Sequence, residues 1–217
     1  MKKVRLVKSI KPLCYNIRNW SDITSPLLLV TGLSGSGKTT LAKKIAKKYN
    51  AILISFDVLK FYSDTSIQSQ ELLDSFLKRH PEITKLIHLQ WSKTDRRYSN
   101  DILFNYYCNL FFDFLLEYGK ENKKKIVLEG IQLFVRLHPS KSIGMPIIII
   151  RNSSFHSFIN KANRDYHSKY MTMKRIRFIG YIINDVYTYH IKQKILLNRY
   201  INYLSILFVY NLKKNRK

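Results

Sequence analysis

Short runs of apolar residues alternate along the chain with longer segments in which apolar positions recur every three or four residues. The apolar runs occur at 27–31, 51–55, 126–129 and 147–150, each short enough for one buried strand. The longer segments have helical periodicity, with one apolar and one charged face. The pattern predicts an α/β fold with three layers, α/β/α, around a mostly parallel sheet.

The helical segments lie between these strands and after the last of them. The first follows strand 27–31 and ends near Asn50. Along this helix, four lysines occupy the face opposite the apolar residues. Three more are predicted in a helical insertion of about 60–122. They run over 66–78, from Pro81 to Ile87 or His88, and from 99 or 100 to Gly119, which we expect to end its helix.

The chain after strand 147–150 is also helical in pattern. Asn152 or Ser153 can cap a helix in which Phe158 and Ile159 are expected to be buried. From Gly180 onward the periodicity predicts one or two helices that close the edge of the sheet, followed by a basic tail.

The residues between the first strand and the first helix, 32–39, read G-L-S-G-S-G-K-T. Glycines let successive N–H groups point inward, the helix N-terminus attracts anions, and Lys38 can reach the outer phosphates of a nucleotide. The Thr39 hydroxyl is placed to hold Mg²⁺. A simple turn between strand and helix is the alternative, but it explains neither Lys38 nor the three glycines. The predicted phosphate-binding residues are Gly32, Ser34, Gly35, Ser36, Gly37, Lys38, Thr39 and Thr40.

Two acidic residues follow later strands. Phe56-Asp57 follows strand 51–55, and Glu129 ends strand 126–129. Because open α/β sheets bind ligands at the carboxyl ends of their strands, both residues are expected beside the phosphate-binding loop. A cap on the following turn is the alternative role for Asp57.

Three segments together resemble the P-loop kinases. They are the loop 32–39, Ser55-Phe56-Asp57 followed by Phe61-Tyr62, and Leu128-Glu129-Gly130. The likeness is greatest to the uridine kinase and phosphoribulokinase group. The resemblance implies transfer of the γ-phosphate of ATP. Asp57 would accept the proton of the substrate hydroxyl, and Thr39 and Glu129 would hold Mg²⁺.

The resemblance also implies a lid and an acceptor site. Arg164-Asp165 is similar to the pair that opens the kinase lid, here about 164–180, so Arg164 or Arg175 is expected to contact the transferred phosphate. An Arg-Gly pair usual in the family is absent, which leaves the choice between the two arginines open. In the insertion, the candidates for acceptor contacts are Trp91, Arg96, Arg97 and Tyr98, and an exposed loop is the alternative.

The charge of the chain is strongly positive. Lys and Arg number 38 against 14 acids, a net charge of +24, and after Gly130 only Asp165 and Asp185 are acidic. Such a chain attracts polyanions, whether nucleoside triphosphates, nucleic acid or an anionic membrane surface, although a biased base composition of the genome also raises lysine content. Residues 1–25 form a basic N-terminal extension to a kinase-like domain at 26–217.

No apolar stretch is long enough to span a bilayer, and the N-terminus lacks the pattern of a signal peptide, so a cytoplasmic protein is expected. The sequence predicts a kinase acting on a nucleoside-like or other small-molecule hydroxyl. The alternatives are a polynucleotide 5′-kinase and a nucleic-acid-binding P-loop ATPase that phosphorylates no acceptor.

Overall fold

The structure is a computed structural model that describes residues 13–15, 25–59, 67–84, 101–142, 145–151, 156–161 and 188–214. Its strands are β1 (Leu13–Tyr15), β2 (Leu27–Gly32), β3 (Ile52–Ser55), β4 (Ile126–Glu129) and β5 (Ile147–Ile150). They form one sheet in the order β1-β5-β2-β4-β3. Strands β2 to β5 are parallel, and β1 pairs antiparallel with β5. The predicted parallel sheet is confirmed, whereas the edge strand β1 was not predicted.

Five helices have defined bounds. They are α1 (Lys38–Tyr49), α2 (Ile67–Arg79), α3 (Asp101–Glu121), α4 (Gln132–Val135) and α5 (Thr188–Lys214). Residues 81–84 and 156–161 are also helical, and 3₁₀ turns occupy Phe56–Leu59 and Pro139–Ser142. No described helix has the length and apolar character needed to cross a membrane.

Alternating residues of the central strand divide the core into two layers. Leu27 and Leu29 of β2 pack into the cluster that contains residues of α2, α3 and α5. Leu28 and Val30 face the opposite side, where they pack against Ala42 and Ala46 of α1. Since side chains alternate across a strand, this distribution confirms helices on both faces of the sheet.

Gly119 does not end helix α3, contrary to expectation. The helix continues to Glu121, and Lys123 takes the left-handed conformation, with φ of 51°. The N–H of Lys124 donates to the carbonyl of Gly119 and that of Lys123 to Lys120, which is a Schellman closure. Position 119 needs a glycine for another reason: a Cβ there would come within 2.7 Å of the Pro26 Cβ.

The helical segment 156–161 differs from its predicted burial pattern. Ile159, expected in the core, is 37% exposed, whereas Ser157 is fully buried. The segment turns a polar side toward the neighbouring loop, where the backbone of Ser157 lies close to Gly35.

Several predicted features fall outside the described residues. They include the acceptor candidates Trp91, Arg96, Arg97 and Tyr98, the lid arginines Arg164 and Arg175, and most of the N-terminal extension. Their roles stay predictions.

Candidate functional site

The loop between β2 and α1 is held in a tight bend by glycine. Gly35 and Gly37 have φ of 81° and 88°, in the region that side chains other than glycine adopt only with strain. A Cβ on Gly35 would also overlap the carbonyl oxygen of Ser157. Inside the bend, the Ser36 N–H donates to the Leu33 carbonyl at 3.0 Å. The sequence pattern of the loop thus corresponds to a conformation that needs glycine at these positions.

Lys38 is the first residue of α1 and is 8% exposed. It forms no ion pair with any described residue. The N-terminus of α1 has no side-chain cap, because Gly37 is its N-cap residue. A buried ammonium group and uncapped amides at one helix end together favour an anion such as a phosphate.

Thr39 and Glu129 meet at the carboxyl edge of the sheet. The Thr39 hydroxyl donates to Glu129 Oε1 at 3.2 Å, and Glu129 is 3% exposed. The contact follows from the topology, because β2 and β4 are neighbours with Val30 opposite Glu129. The Thr31 hydroxyl also bonds to the Gly130 carbonyl at 2.8 Å, which fixes the turn after β4.

Hydroxyl and carboxylate oxygens suit Mg²⁺, which normally takes few protein ligands and completes its shell with phosphate and water. The described residues contain no cluster of three or more His, Cys, Asp or Glu side chains able to bind a metal. Thr39 and Glu129 supply the kind of ligands that fit a cation held jointly with a bound phosphate.

Asp57 follows the strand next to Glu129. Ser55, the last residue of β3, pairs with Glu129, and Asp57 lies in the 3₁₀ turn Phe56–Leu59 directly after it. Phe56 is fully buried, and a Cβ on Gly130 would lie 2.8 Å from the Phe56 Cβ. This packing brings the start of the turn against the end of β4. The backbone of Asp57 is thus at the same edge as the phosphate-binding loop.

Two supports of the loop were missed by sequence reasoning. The Ser34 N–H donates to Gln193 Oε1 at 3.1 Å, and Asn160 Nδ2 donates to the Gly35 carbonyl at 3.3 Å. They are 159 and 125 residues away from their partners, so no local spacing connects them. One signal was present: His190 and Gln193 are polar residues on the face of α5 that also carries buried Leu197 and Tyr200.

Comparisons with known proteins agree with the fold. Residues 28–89 match the family model described as ATPase family associated with various cellular activities (AAA). A tRNA dimethylallyltransferase from Sulfurimonas denitrificans is 26% identical over 151 residues, which cover 64% of this chain and 48% of that protein. The chain therefore spans about half the length of this curated relative.

These matches and the parallel sheet with flanking helices confirm the predicted P-loop NTPase fold. Neither match names the uridine kinase and phosphoribulokinase group, so the narrower resemblance stays a prediction.

Proposed function

We propose that the protein is a kinase that transfers the γ-phosphate of ATP to a hydroxyl of a nucleoside-like or other small-molecule acceptor. The observation that carries this proposal is the buried Lys38 beside the hydrogen-bonded pair Thr39 and Glu129, at an edge where the backbone of Asp57 also lies. A nucleotide switch needs the first three residues, but it has no use for an acid after β3.

In this proposal each group has one role. Lys38 and the loop amides bind the phosphates, and Asp57 takes the proton of the acceptor hydroxyl as its oxygen bonds to the γ-phosphorus. The bond from that phosphorus to the bridging oxygen breaks, and ADP leaves. Mg²⁺, held through Thr39 and Glu129, would neutralise phosphate charge, and Arg164 or Arg175 would stabilise the transferred group.

A tRNA or another polynucleotide is the second candidate acceptor. Two observations favour it: the named activity of the relative from S. denitrificans, and the net charge of +24. A phosphate-binding loop contacts only the phosphates of the substrate that donates the transferred group. A polynucleotide acceptor is therefore compatible with a phosphate-containing donor other than ATP.

The deciding experiment follows labelled groups. The protein is incubated with Mg²⁺ and γ-labelled ATP, together with separate pools of nucleosides, metabolites, oligonucleotides and tRNA. A parallel reaction contains labelled dimethylallyl diphosphate and tRNA. Label in a small molecule supports the first candidate, and label in RNA supports the second. ATP hydrolysis stimulated by nucleic acid, with no labelled acceptor, contradicts both and supports a P-loop ATPase.

Lys38→Ala serves as the inactive variant in these reactions. Loss of one donor to the transferring group typically lowers turnover by about 10²–10³. The matched control is Lys43→Ala, since Lys43 is an exposed lysine of the same helix. Equal turnover in Lys38→Ala and Lys43→Ala would show that the label was transferred by another site.

The second candidate also predicts how binding depends on salt. Each phosphate neutralised by the protein steepens the fall in affinity as salt rises. Oligonucleotide or tRNA binding is measured by fluorescence anisotropy between about 50 and 200 mM salt, a range that costs about 10³–10⁵ in affinity for six to ten phosphate contacts. A flat profile excludes a polynucleotide acceptor held by charge.

A further inference from the structure

We propose that Gln193 of α5 is a positioning residue of the phosphate-binding loop, whose amide holds the Ser34 backbone in the conformation that binds phosphate. Gln193 Oε1 accepts the Ser34 N–H at 3.1 Å, and the side chain is 2% exposed. The inference rests on the phosphate-binding half of the proposed function and is independent of the acceptor.

The loop side of this contact explains why it matters. Ser34 precedes Gly35, whose positive φ and close approach to Ser157 allow little displacement without a clash. Asn160 holds the Gly35 carbonyl from a second element. A loop with three glycines has many conformations in isolation, so contacts that fix residues 34 and 35 lower the entropy lost when phosphate binds.

The other end of the Gln193 amide argues against a role in stability alone. Because Oε1 faces the Ser34 N–H, Nε2 points away from it, and this atom is buried without a hydrogen-bond partner among the described residues. A buried unpaired donor costs about as much as one hydrogen bond returns, or more. An apolar side chain of similar length would remove this unpaired donor but would leave the Ser34 N–H without its acceptor, so the two effects on stability roughly offset each other.

The test compares Gln193→Met with the unchanged protein. Methionine keeps the length and burial of the side chain but accepts no strong hydrogen bond. We expect the melting temperature to change little, because one buried unpaired donor replaces another, while ATP binds about 3- to 10-fold more weakly, the effect of one lost hydrogen bond. Asn198→Met, which changes an exposed amide of the same helix, should alter neither quantity.

Binding is measured by calorimetry with two probes, Mg²⁺-ATP and inorganic tripolyphosphate. Equal affinity of Gln193→Met and the unchanged protein for both probes overturns the inference. So does a loss of affinity that accompanies a large fall in melting temperature, because that result indicates a structural role. If the unchanged protein binds tripolyphosphate but not ATP, the kinase proposal fails and the tripolyphosphate comparison still decides the role of Gln193. Binding of neither probe overturns both proposals.

Discussion

Asp57 is the residue on which the distinction between a kinase and a nucleotide switch depends. Its backbone follows β3 in a 3₁₀ turn, at the edge of the sheet where Thr39 contacts Glu129. Asp57→Asn keeps the size of the side chain but removes the base, so we expect turnover to fall by about 10²–10⁴ with ATP affinity retained. Steady-state transfer and nucleotide titration measure the two quantities.

The control for this change is Asp74→Asn, which removes an exposed acid from α2 and should leave turnover unchanged. Normal phosphoryl transfer by Asp57→Asn would show that another group takes the proton.

Gly35 and Gly37 have similar positive φ angles but different surroundings, so alanine at each position distinguishes the cost of backbone strain from the cost of a steric clash. Alanine at Gly37 has open space around it and should cost only the left-handed backbone, about 1–2 kcal/mol. Alanine at Gly35 bears similar strain and also overlaps the Ser157 carbonyl. We therefore expect a larger loss of unfolding free energy for Gly35→Ala than for Gly37→Ala in denaturant titrations. Equal losses would mean that the 156–161 segment moves away without cost.

At the scale of single residues, sequence reasoning proposed the groups that would bind a phosphate but did not find the residues that hold their loop. Lys38 and Thr39 belong to a local motif, so their spacing was sufficient to predict their place. Gln193 and Ser157 act across the fold, and only the packing of α5 and of residues 156–161 against the loop brings them there.

At the scale of elements, helix α5 is fixed to the 3₁₀ turn Pro139–Ser142 by a buried hydroxyl pair. The Tyr200 hydroxyl donates to Ser142 Oγ at 2.7 Å, and burial raises the pKa of Tyr200 to about 12 despite this bond. The folded protein thus holds the phenol proton more tightly than the unfolded chain. The stability linked to this proton is complete below pH 10 and is lost as the pH rises to 12.

Tyr200→Phe should remove that part of the pH dependence. A pKa of about 12 in place of 10 corresponds to about 3 kcal/mol, so the unfolding free energy of the unchanged protein should fall more steeply above pH 10 than that of the variant. Denaturant titrations at pH 8, 10 and 11.5 measure the difference in unfolding free energy between the two proteins. The contributions of the other titrating groups are common to both proteins and cancel in this difference. Parallel curves for the two proteins would show that Tyr200 ionises as easily when folded.

The strands were predicted more reliably than the helix ends. Runs such as Ile147–Ile150 are buried throughout, so an apolar pattern identifies them directly. Helix α4 has only four residues, too few for periodicity to appear. The end of α3 was misplaced because Gly119 serves close packing against Pro26, which local sequence does not distinguish from a helix stop.

At the scale of the whole molecule, chain connectivity predicted the edge at which the site forms but not the order of the strands. The placement of Asp57 and Glu129 followed from the rule that parallel strands end at a common edge. Which strand neighbours β2 depends on packing between distant segments, and the pairing of β4 with β2 is what brings Glu129 within reach of Thr39.

The antiparallel strand β1 has a consequence for solubility. It covers the outer edge of β5, pairing Leu13 with Ile149 and Tyr15 with Ile147. Without it, four consecutive isoleucines would present an open row of backbone donors and acceptors, a template for pairing with another chain. Removal of residues 1–15 should therefore produce self-association in light scattering, and a monomeric truncated protein would contradict this. We therefore expect the short strand to protect the protein from aggregation.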